Sequence, residues 1–395
     1  MAQKPAARLN ELGQSAWLDL IGRKLIESGE LKRMVDEDGV RGVTANPAIF
    51  EKAIVESTDY DDALERMTQT GRSPLEIYEA LAVADVRAGC DVLLPLFRGG
   101  LPGAFAALPG GKRIVDGFVS LEVSPELAFD TRGTVAEAKR FWAAVDRPNV
   151  LIKIPATPQG IPAIREATAA GISVNITLIF SNTVYAQVID AYQAGLEERA
   201  AKGLPLSGIH SVASFFVSRV DTAVDKLLEK NGSAEAKALL GKIAIANAKQ
   251  AYQVYLKSVQ APRWAKLEAL GANRQRPLWA STGTKNKAYS DVFYVEALIG
   301  PQTVNTMPLA TLRAFNDHGK VARTLDQGVP EALAQLEALG RLGIDLEKVC
   351  AQLTQEGVKL FADALAGLLR AIAARLPSDT ARTGGAHGVG AAGPR

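Results

Sequence analysis

The chain has 395 residues, of which 47% are hydrophobic and 22% charged, proportions that are typical of a soluble globular protein. Its net charge of +2 creates no global field for nucleic acid or acidic membranes, and no apolar run is long enough to cross a bilayer. We therefore expect neither nucleic acid nor a membrane among its partners.

The cysteines and histidines exclude two further classes. Cys90 and Cys350 lie far apart, so the sequence has no disulfide framework, and the three histidines lack the spacing of a zinc site. The N-terminal residues MAQKPAARLNELG lack the apolar core of a secretory signal. These features predict a cytoplasmic, metal-independent protein. Oligomers are compatible with this sequence, which carries no signal for or against them.

Short apolar segments alternate with helical patterns along the whole chain. The predicted strands are residues 15–20, 42–47, 117–123, 149–155, 173–180, 208–217, 277–282 and 303–308. Eight strands separated by helices indicate a parallel sheet, and eight βα units favour a closed (β/α)8 TIM barrel.

Predicted helices fill the intervals between the strands. Their positions are the stretch up to Arg33, residues 59–97 with Ser73 as N-cap and Pro74 just inside a start, the stretch after Thr134, 164–170, the helix capped by Ser181, 221–270, and the C-terminal third. Residues 99–113 carry too many glycines and prolines for regular structure and predict a loop. We expect a single catalytic domain at 1–376, with additional helices, and a disordered tail at 377–395.

Polar residues interrupt the apolar strands in a consistent way. Lys153 lies inside Val150–Pro155, a run of the kind that is buried on both faces, and lysine is rarely buried without a partner or a purpose. Glu122 lies between Leu121 and Val123. Asn175 and Thr177 are two residues apart, hence on one face of their strand.

More polar residues occupy the other strands or follow them. They are Asp19, Asn46, Ser214 and Arg219. Polar groups that point inward near the carboxyl ends of barrel strands form the usual catalytic site of this fold.

Each of these residues also has a purely structural interpretation. Lys153 fits an exposed strand, and Glu122 fits a structural ion-pair partner for it. Asn175 and Thr177 fit residues that only brace neighbouring loops. Asn46 before Pro47 fits turn chemistry. Arg219 fits a surface partner of Asp221 or Asp225.

A buried lysine beside a carboxylate has a distinctive chemistry. Burial lowers the pKa of a lysine because the charged form loses hydration, and the neutral amine attacks a ketone to give a Schiff base. The protonated imine is an electron sink that permits cleavage of the adjacent carbon–carbon bond without a metal. Asp19 and Glu122 are then the candidate acid/base groups, and Arg219 and Ser214 suit a phosphate.

Several motifs resemble those of transaldolases. They are TANPAIF at 44–50, LIKIPAT at 151–157, NITLIFS at 175–181, ASFFVSRVD at 213–221, WASTGTKN at 279–286 and NTMP at 305–308. The resemblance spans about residues 10–375. It implies a cofactor-independent barrel enzyme of the non-oxidative pentose phosphate pathway. Such an enzyme transfers a dihydroxyacetone unit from sedoheptulose 7-phosphate or fructose 6-phosphate to an aldose phosphate.

The resemblance also implies a role for each matching residue. Lys153 corresponds to the Schiff-base lysine, Glu122 and Thr177 to the pair that activates the catalytic water, and Asp19 to the proton-exchanging aspartate. Matches to the substrate-binding residues are Asn46, Asn175, Ser214, Phe216, Arg219 and Ser281.

One departure from the family pattern concerns phosphate binding. Many transaldolases have an arginine two residues after the serine that corresponds to Ser281, where this chain has Gly283. We take Lys285 as the candidate replacement.

Three other functions fit the same residues. A Schiff-base aldolase would release free dihydroxyacetone, and a pyridoxal-phosphate enzyme would use the lysine to hold its cofactor. A non-catalytic sugar-phosphate binding protein belongs to a different class and would lack a catalytic group.

Overall fold

A closed barrel of parallel strands forms the centre of the molecule. The computed structural model describes residues 3–99 and 115–376. The strands in these ranges are β1 Gln14–Leu18, β2 Val40–Val43, β3 Phe118–Glu122, β4 Val150–Pro155, β5 Val174–Ile179, β6 Ser211–Phe216, β7 Gln275–Ala280 and β8 Thr303–Met307. Neighbours in sequence are neighbours in the sheet, and β8 pairs with β1. The predicted (β/α)8 barrel is therefore confirmed.

Helices surround the barrel and close part of its rim. Those in the described ranges are α1 Pro5–Arg8, α2 Arg23–Glu27, α3 Glu30–Glu37, α4 Pro47–Val55, α5 Asp61–Thr68, α6 Pro74–Gly99, α7 Thr131–Val145, α8 Gly160–Ala170, α9 Asn182–Ala201, α10 Ser218–Asn231, α11 Ala234–Leu239, α12 Ile243–Gln260, α13 Pro262–Ala269, α14 Phe293–Ala297, α15 Leu309–His318, α16 Val329–Arg341 and α17 Leu346–Ala373. None of these helices combines the length and apolarity needed to cross a membrane.

Local sequence explains where several helices begin. Ser73 and Glu76 form a reciprocal capping box ahead of α6, as the Ser73–Pro74 pair predicts. The Ser181 hydroxyl accepts the Val184 N–H and caps α9, which confirms that prediction.

The structure divides two of the predicted helical stretches. Residues 59–97 contain α5 and α6, which are separated by a turn at Gly71, where φ is +74°. Residues 221–270 contain parts of α10 to α13, and Gly232 and Gly241 both have positive φ. Glycine adopts this left-handed conformation without the steric cost of a side chain, so the helices end there. Hydrophobic periodicity alone does not reveal such breaks.

The second strand ends earlier than its sequence predicts. β2 ends at Val43, although the pattern predicts a strand over 42–47. The Asn46 side chain accepts the Ile49 N–H at 3.0 Å and caps α4, so the residues before Pro47 lead into a helix. Gly99 ends α6 instead of starting the predicted loop, and residues 100–113 of that loop and the tail at 377–395 lie outside the described residues.

Buried polar groups link the amino-terminal ends of the strands. Arg276 on β7 forms an ion pair with Asp116 at 3.1 Å and donates to the Thr303 carbonyl at 2.7 Å. Asp116 also accepts the Trp17 indole N–H at 2.9 Å and the Ser15 hydroxyl. Paired in this way, the charges are tolerated in the interior. The opposite rim of the barrel carries the candidate site.

Gly42 is a position where the barrel interior has no room for a side chain. A Cβ atom there would lie 2.5 Å from ring atoms of Trp17, which is fully buried. We expect Gly42→Ala to lower the free energy of unfolding by about 1–3 kcal/mol, because overpacking forces the ring or the strand to move. Urea unfolding monitored by circular dichroism measures this change.

Gly340→Ala is the matched control. Gly340 lies on the exposed side of α16, with no atom within 4 Å of the added Cβ. Because alanine favours helix, we expect this variant to gain about 0.5–1 kcal/mol. Equal effects of the two substitutions would contradict the steric explanation.

Candidate active site

The amine of Lys153 lies buried at the centre of the candidate site. The residue is 4% exposed, which excludes the surface-strand interpretation. Its Nζ lies 3.2 Å from Oε2 of Glu122 and donates a hydrogen bond to the Ala45 carbonyl at 3.1 Å. The contact with Glu122 is an ion pair without hydrogen-bond alignment, because that oxygen accepts no hydrogen bond from the described residues.

Strand register brings the polar residues of β3, β4 and β5 together. Glu122 pairs with Lys153, Lys153 with Asn175, and Pro155 with Thr177. Residues that are adjacent in register and two apart along a strand share a face, so these side chains point to one region. The structure thus brings together four of the residues that the sequence singles out.

Two carboxyl groups lie near the amine in an environment of low polarity. Burial raises the pKa of Glu122 and that of Asp19, and the charge of Lys153 opposes both shifts. The Thr44 hydroxyl donates to Asp19 at 2.6 Å and lies 2.7 Å from the Thr306 hydroxyl. A carboxyl with a raised pKa retains a proton more readily, as a general acid requires.

A chain of hydrogen bonds fixes the amide of Asn175. Its Nδ2 donates to the Ser120 hydroxyl at 2.9 Å, and its Oδ1 accepts the Ser214 hydroxyl at 2.7 Å. Asn175 on β5 therefore bonds to residues of strands β3 and β6 rather than to loops, which corrects the loop-bracing interpretation.

Thr177 is buried, and its hydroxyl has no hydrogen-bond partner among the described residues. Oε2 of Glu122 likewise accepts no hydrogen bond in that part of the chain. Buried polar atoms without a partner are costly, and in native sites they commonly interact with a water or a substrate.

A cavity of about 660 Å³ opens beside Lys153, and neither Glu122 nor Thr177 is among the residues that line it. Its lining includes Asp19, Thr44, Asn46, Lys153, Ser214, Phe216, Arg219, Ala280, Ser281, Gly283, Lys285, Thr306, Pro308 and Phe361. All of the residues predicted to bind substrate border this cavity, except Asn175. Asn175 forms a hydrogen bond with Ser214, which does border it.

Arg219 and Lys285 contribute positive charge to this cavity. Neither forms an ion pair with a carboxylate of the described residues, and the Arg219 guanidinium lies 5.6 Å from the centre of the Phe216 ring. Burial lowers the pKa of Arg219, and the charge of Glu356 opposes that shift.

Ser281 has an unusual backbone conformation, with a φ of +55°. Its hydroxyl oxygen lies 3.0 Å from the hydroxyl oxygen of Ser218. Such left-handed backbone at a non-glycine residue is concentrated in functional sites.

Asp221 and Asp225 do not pair with Arg219, so the surface-pair interpretation is wrong. Both carboxylates are buried, and they accept hydrogen bonds from Tyr294 at 3.0 Å and Tyr289 at 2.9 Å. These bonds tie the segment after β7, which carries Ser281 and Lys285, to α10.

Asn46 does cap α4, as its turn interpretation suggests, and it borders the cavity as well.

Sequence reasoning does not single out Thr44, Thr306, Ser120 or Phe361 as site residues. Thr44 lies two residues before Asn46, and Thr306 lies within the NTMP motif, so a period-two reading of those segments identifies both. Phe361 comes from α17, and its ring centre lies 5.9 Å from Nζ of Lys153. No local pattern distinguishes it from the other apolar residues of that helix.

The fold and the site together define a class of enzyme. A parallel (β/α)8 barrel presents a buried amine, two carboxyl groups with raised pKa values and two cations near the carboxyl ends of its strands. This is the arrangement of a barrel enzyme of the aldolase type.

Comparison with known proteins identifies the family. Residues 16–372 match the transaldolase/fructose-6-phosphate aldolase family, to which this chain belongs. It is 48% identical over 364 residues to a protein named transaldolase from Thiobacillus denitrificans, covering 92% of this chain and 98% of that one. Identity is 50% over 370 residues with transaldolase 2 of Streptomyces coelicolor, covering 93% and 96%. It is 43% over 374 residues with a transaldolase of Trichodesmium erythraeum, covering 92% and 95%.

Asp221 makes the stability of this structure depend on pH. Burial raises its pKa from an ordinary value of 3.8 to about 7. Between these two pH values the Asp221 carboxyl is therefore protonated in the folded protein and ionised in the unfolded chain. The contribution of Asp221 to the free energy of unfolding is therefore full below pH 3.8 and is lost as the pH rises through about 7. Asp221→Asn keeps an acceptor for the Ala244 N–H but does not titrate.

We expect the stability of Asp221→Asn relative to the wild type to increase between pH 4 and pH 8. The expected gain is about 4 kcal/mol, since nearly three pH units of this window lie between the two pKa values and one unit corresponds to about 1.4 kcal/mol. Urea unfolding at pH 4, 6 and 8 measures it. Asp363→Asn, on the exposed side of α17, is the control and should follow the wild-type curve. Parallel curves for all three proteins would contradict a titrating Asp221.

Proposed function

We propose that this protein is a transaldolase. It transfers a dihydroxyacetone unit from sedoheptulose 7-phosphate or fructose 6-phosphate to an aldose phosphate acceptor, as a step of the non-oxidative pentose phosphate pathway. The observation that carries this proposal is the buried amine of Lys153, beside a carboxylate and at the base of a cavity that also contains cations. The family membership and the names of the relatives support it.

Lys153 is the proposed nucleophile. Its amine adds to the ketone carbon of the donor, water leaves, and the resulting protonated imine accepts the electron pair of the adjacent carbon–carbon bond as that bond breaks. Asp19 takes the proton from the hydroxyl group next to the breaking bond and returns it when the acceptor aldehyde is attacked. Its raised pKa, which results from burial, suits both directions of this transfer.

Glu122 and Thr177 are proposed to hold the water of the addition and elimination steps. Both have a buried oxygen that forms no hydrogen bond in the described part of the chain, although Oε2 of Glu122 does form the ion pair with Lys153. They lie on strands that flank Lys153 on either side. A water between them would satisfy both oxygens and lie close to the imine carbon.

The amide groups and Phe216 are proposed to position the sugar. Asn46 and Asn175 would donate hydrogen bonds to its hydroxyl groups, and Asn175 is held for this task by Ser120 and Ser214. A fixed amide loses little conformational freedom on binding, which favours correct orientation of the substrate.

The phosphate group is proposed to bind between Arg219, Ser281 and Lys285, all of which border the cavity. A Cβ atom at Gly283 would lie 3.2 Å from Oγ1 of Thr311 and 3.4 Å from Cγ of Pro308. The contact with Thr311 is tight and the contact with Pro308 is ordinary, so a side chain at this position would require the Thr311 hydroxyl to shift by a few tenths of an ångström. Lys285 supplies the second positive charge from the same segment.

We also propose a cytoplasmic location and a single catalytic domain that includes residues 1–376. Both cysteines are buried free thiols, the state that is usual in a reducing compartment.

Borohydride trapping tests the proposed nucleophile. Incubation with fructose 6-phosphate and borohydride should convert the imine to a stable secondary amine on Lys153, which peptide mass mapping detects. Lys153→Met should abolish the adduct and reduce the transfer rate at least 10⁴-fold, because the covalent route is lost.

Lys249→Met is the matched control for trapping. Lys249 is also partly buried but lies away from the cavity and donates to the Gln327 carbonyl. The adduct should survive in this variant. An adduct on a lysine other than Lys153, or none at all, would overturn the proposed mechanism.

Arg219→Gln tests the phosphate site. We expect kcat/KM for fructose 6-phosphate to fall about 10- to 100-fold, mainly through KM, since a charge-assisted hydrogen bond contributes about 1.5–3 kcal/mol. Unphosphorylated fructose serves as the control donor, and its kcat/KM should change by less than about twofold. An equal loss with both donors would place Arg219 outside the phosphate site.

A further inference from the structure

Phe361 borders both the cavity that contains the amine of Lys153 and a second, wider cavity. Asp19, Asn46, Arg219 and Pro308 also border both, and Phe361 is the only aromatic residue among these five. The ring centre of Phe361 lies 5.9 Å from Nζ of Lys153, and the residue is only 3% exposed. Phe361 lines both the inner cavity and an adjoining space of about 1270 Å³ that contains the exposed side chains of Lys52 and Arg313. The ring therefore lies where bulk water from the wider space would approach the imine.

Packing of α17 fixes the position of that ring. The Cys350 thiol donates to the Phe180 carbonyl, and Gly357 packs against Leu178 so closely that a Cβ atom would lie 2.7 Å from that side chain. Phe361 follows Gly357 by one helical turn and points the same way, because residues four apart share a face. The helix is anchored to the rim of β5 on one side of Phe361.

Beyond Phe361, the same face of α17 continues into the hydrophobic core. Leu365 and Leu368 are both buried there. The ring is thus held between two packed segments of one helix, and its position does not depend on a flexible loop.

The proposed reaction gives this position a consequence. After bond cleavage the three-carbon unit remains on Lys153 as an enamine. Release takes a proton onto the enamine carbon, adds one water at the imine carbon and breaks the C–N bond, so that free dihydroxyacetone leaves and the amine is regenerated. Transfer instead forms a new carbon–carbon bond to the acceptor aldehyde. The two outcomes therefore differ in whether water or an aldehyde reaches the enamine first.

We propose that Phe361 is the specificity-determining residue that favours transfer over release, an inference that rests on the proposed function. Its ring excludes water from the enamine while the first aldose phosphate leaves and the acceptor enters through the polar part of the cavity. Exclusion of water by a closed apolar surface is a general means of protecting a reactive intermediate. The effect requires no contact of the ring with the reacting atoms.

The test measures two products in one reaction. Fructose 6-phosphate and erythrose 4-phosphate are supplied, and sedoheptulose 7-phosphate and free dihydroxyacetone are quantified together. We expect Phe361→Ala to raise the ratio of release to transfer at least 10-fold. Phe361→Leu fills more of the space and should raise the ratio about threefold. If the alanine variant does not fold, the leucine variant decides the question.

Leu368→Ala is the matched control for helix packing. It removes a buried side chain from the same face of α17 but borders neither cavity. Its ratio should remain within twofold of the wild type. An unchanged ratio in a folded Phe361 variant, or an equal rise in Leu368→Ala, would overturn the role of Phe361.

Borohydride trapping in the wild type distinguishes this inference from the proposed function. An adduct on Lys153 with an unchanged product ratio rejects the role of Phe361 alone. A wild type that forms the adduct yet yields mainly dihydroxyacetone also rejects it, because the ring then fails to retain the intermediate. Absence of the adduct overturns the proposed function, and the role of Phe361 with it.

Discussion

The ion pair between Lys153 and Glu122 depends on the register of adjacent parallel strands. Glu122 pairs with Lys153 and Lys153 with Asn175, and a slip of one residue would turn each of these side chains to the opposite face of the sheet. Barrel closure prevents such a slip, because each strand is held by neighbours on both sides. The attraction between the two buried charges offsets part of the cost of removing each from water, and it acts only while the register keeps them close.

The same burial that makes the pair costly also makes it chemically useful. Desolvation raises the pKa of Glu122 and of Asp19, so both carboxyl groups bind a proton more readily at the place where the proposed reaction transfers one. At the opposite end of the barrel, both oxygens of Asp116 accept hydrogen bonds, which come from Ser15, Trp17 and Arg276. A carboxylate held in this way stabilises geometry, whereas the oxygens of Glu122 and Thr177 that form no hydrogen bond leave capacity for a ligand.

Much of the catalytic core could be predicted from the sequence because it violates local patterns. Lys153, Glu122, Asn175 and Thr177 are polar residues within apolar strands, and strand periodicity places them on a common face. For Asp19, Arg219 and Ser281 the pattern is less distinctive, since a polar residue just after a strand is also typical of an ordinary loop. The assignment of Ser281 rests on the motif resemblance.

The remaining contacts join segments that are distant in sequence, where periodicity carries no information. Asp221 and Asp225 look like surface residues on a helix, yet tyrosines from the segment after β7 bury them. The ends of helices at Gly71, Gly232 and Gly241 depend on backbone conformation that a helical pattern does not reveal. Phe361 is one apolar residue among many on α17, and only the packing of that helix across the rim distinguishes it.

Rigid strands and adaptable surroundings therefore have separate tasks in this molecule. The strand residues cannot move without disturbing the barrel, so the position of the amine is fixed by the fold itself. The groups that surround the substrate come from elsewhere: Lys285 from the segment after β7, and Phe361 from α17. At Gly283 an added Cβ atom would lie 3.2 Å from the Thr311 hydroxyl oxygen, and Lys285, two residues later in the same segment, borders the cavity. Substitutions in these outer elements can change which molecule reaches the amine. They leave intact the strand register that creates the environment of the amine.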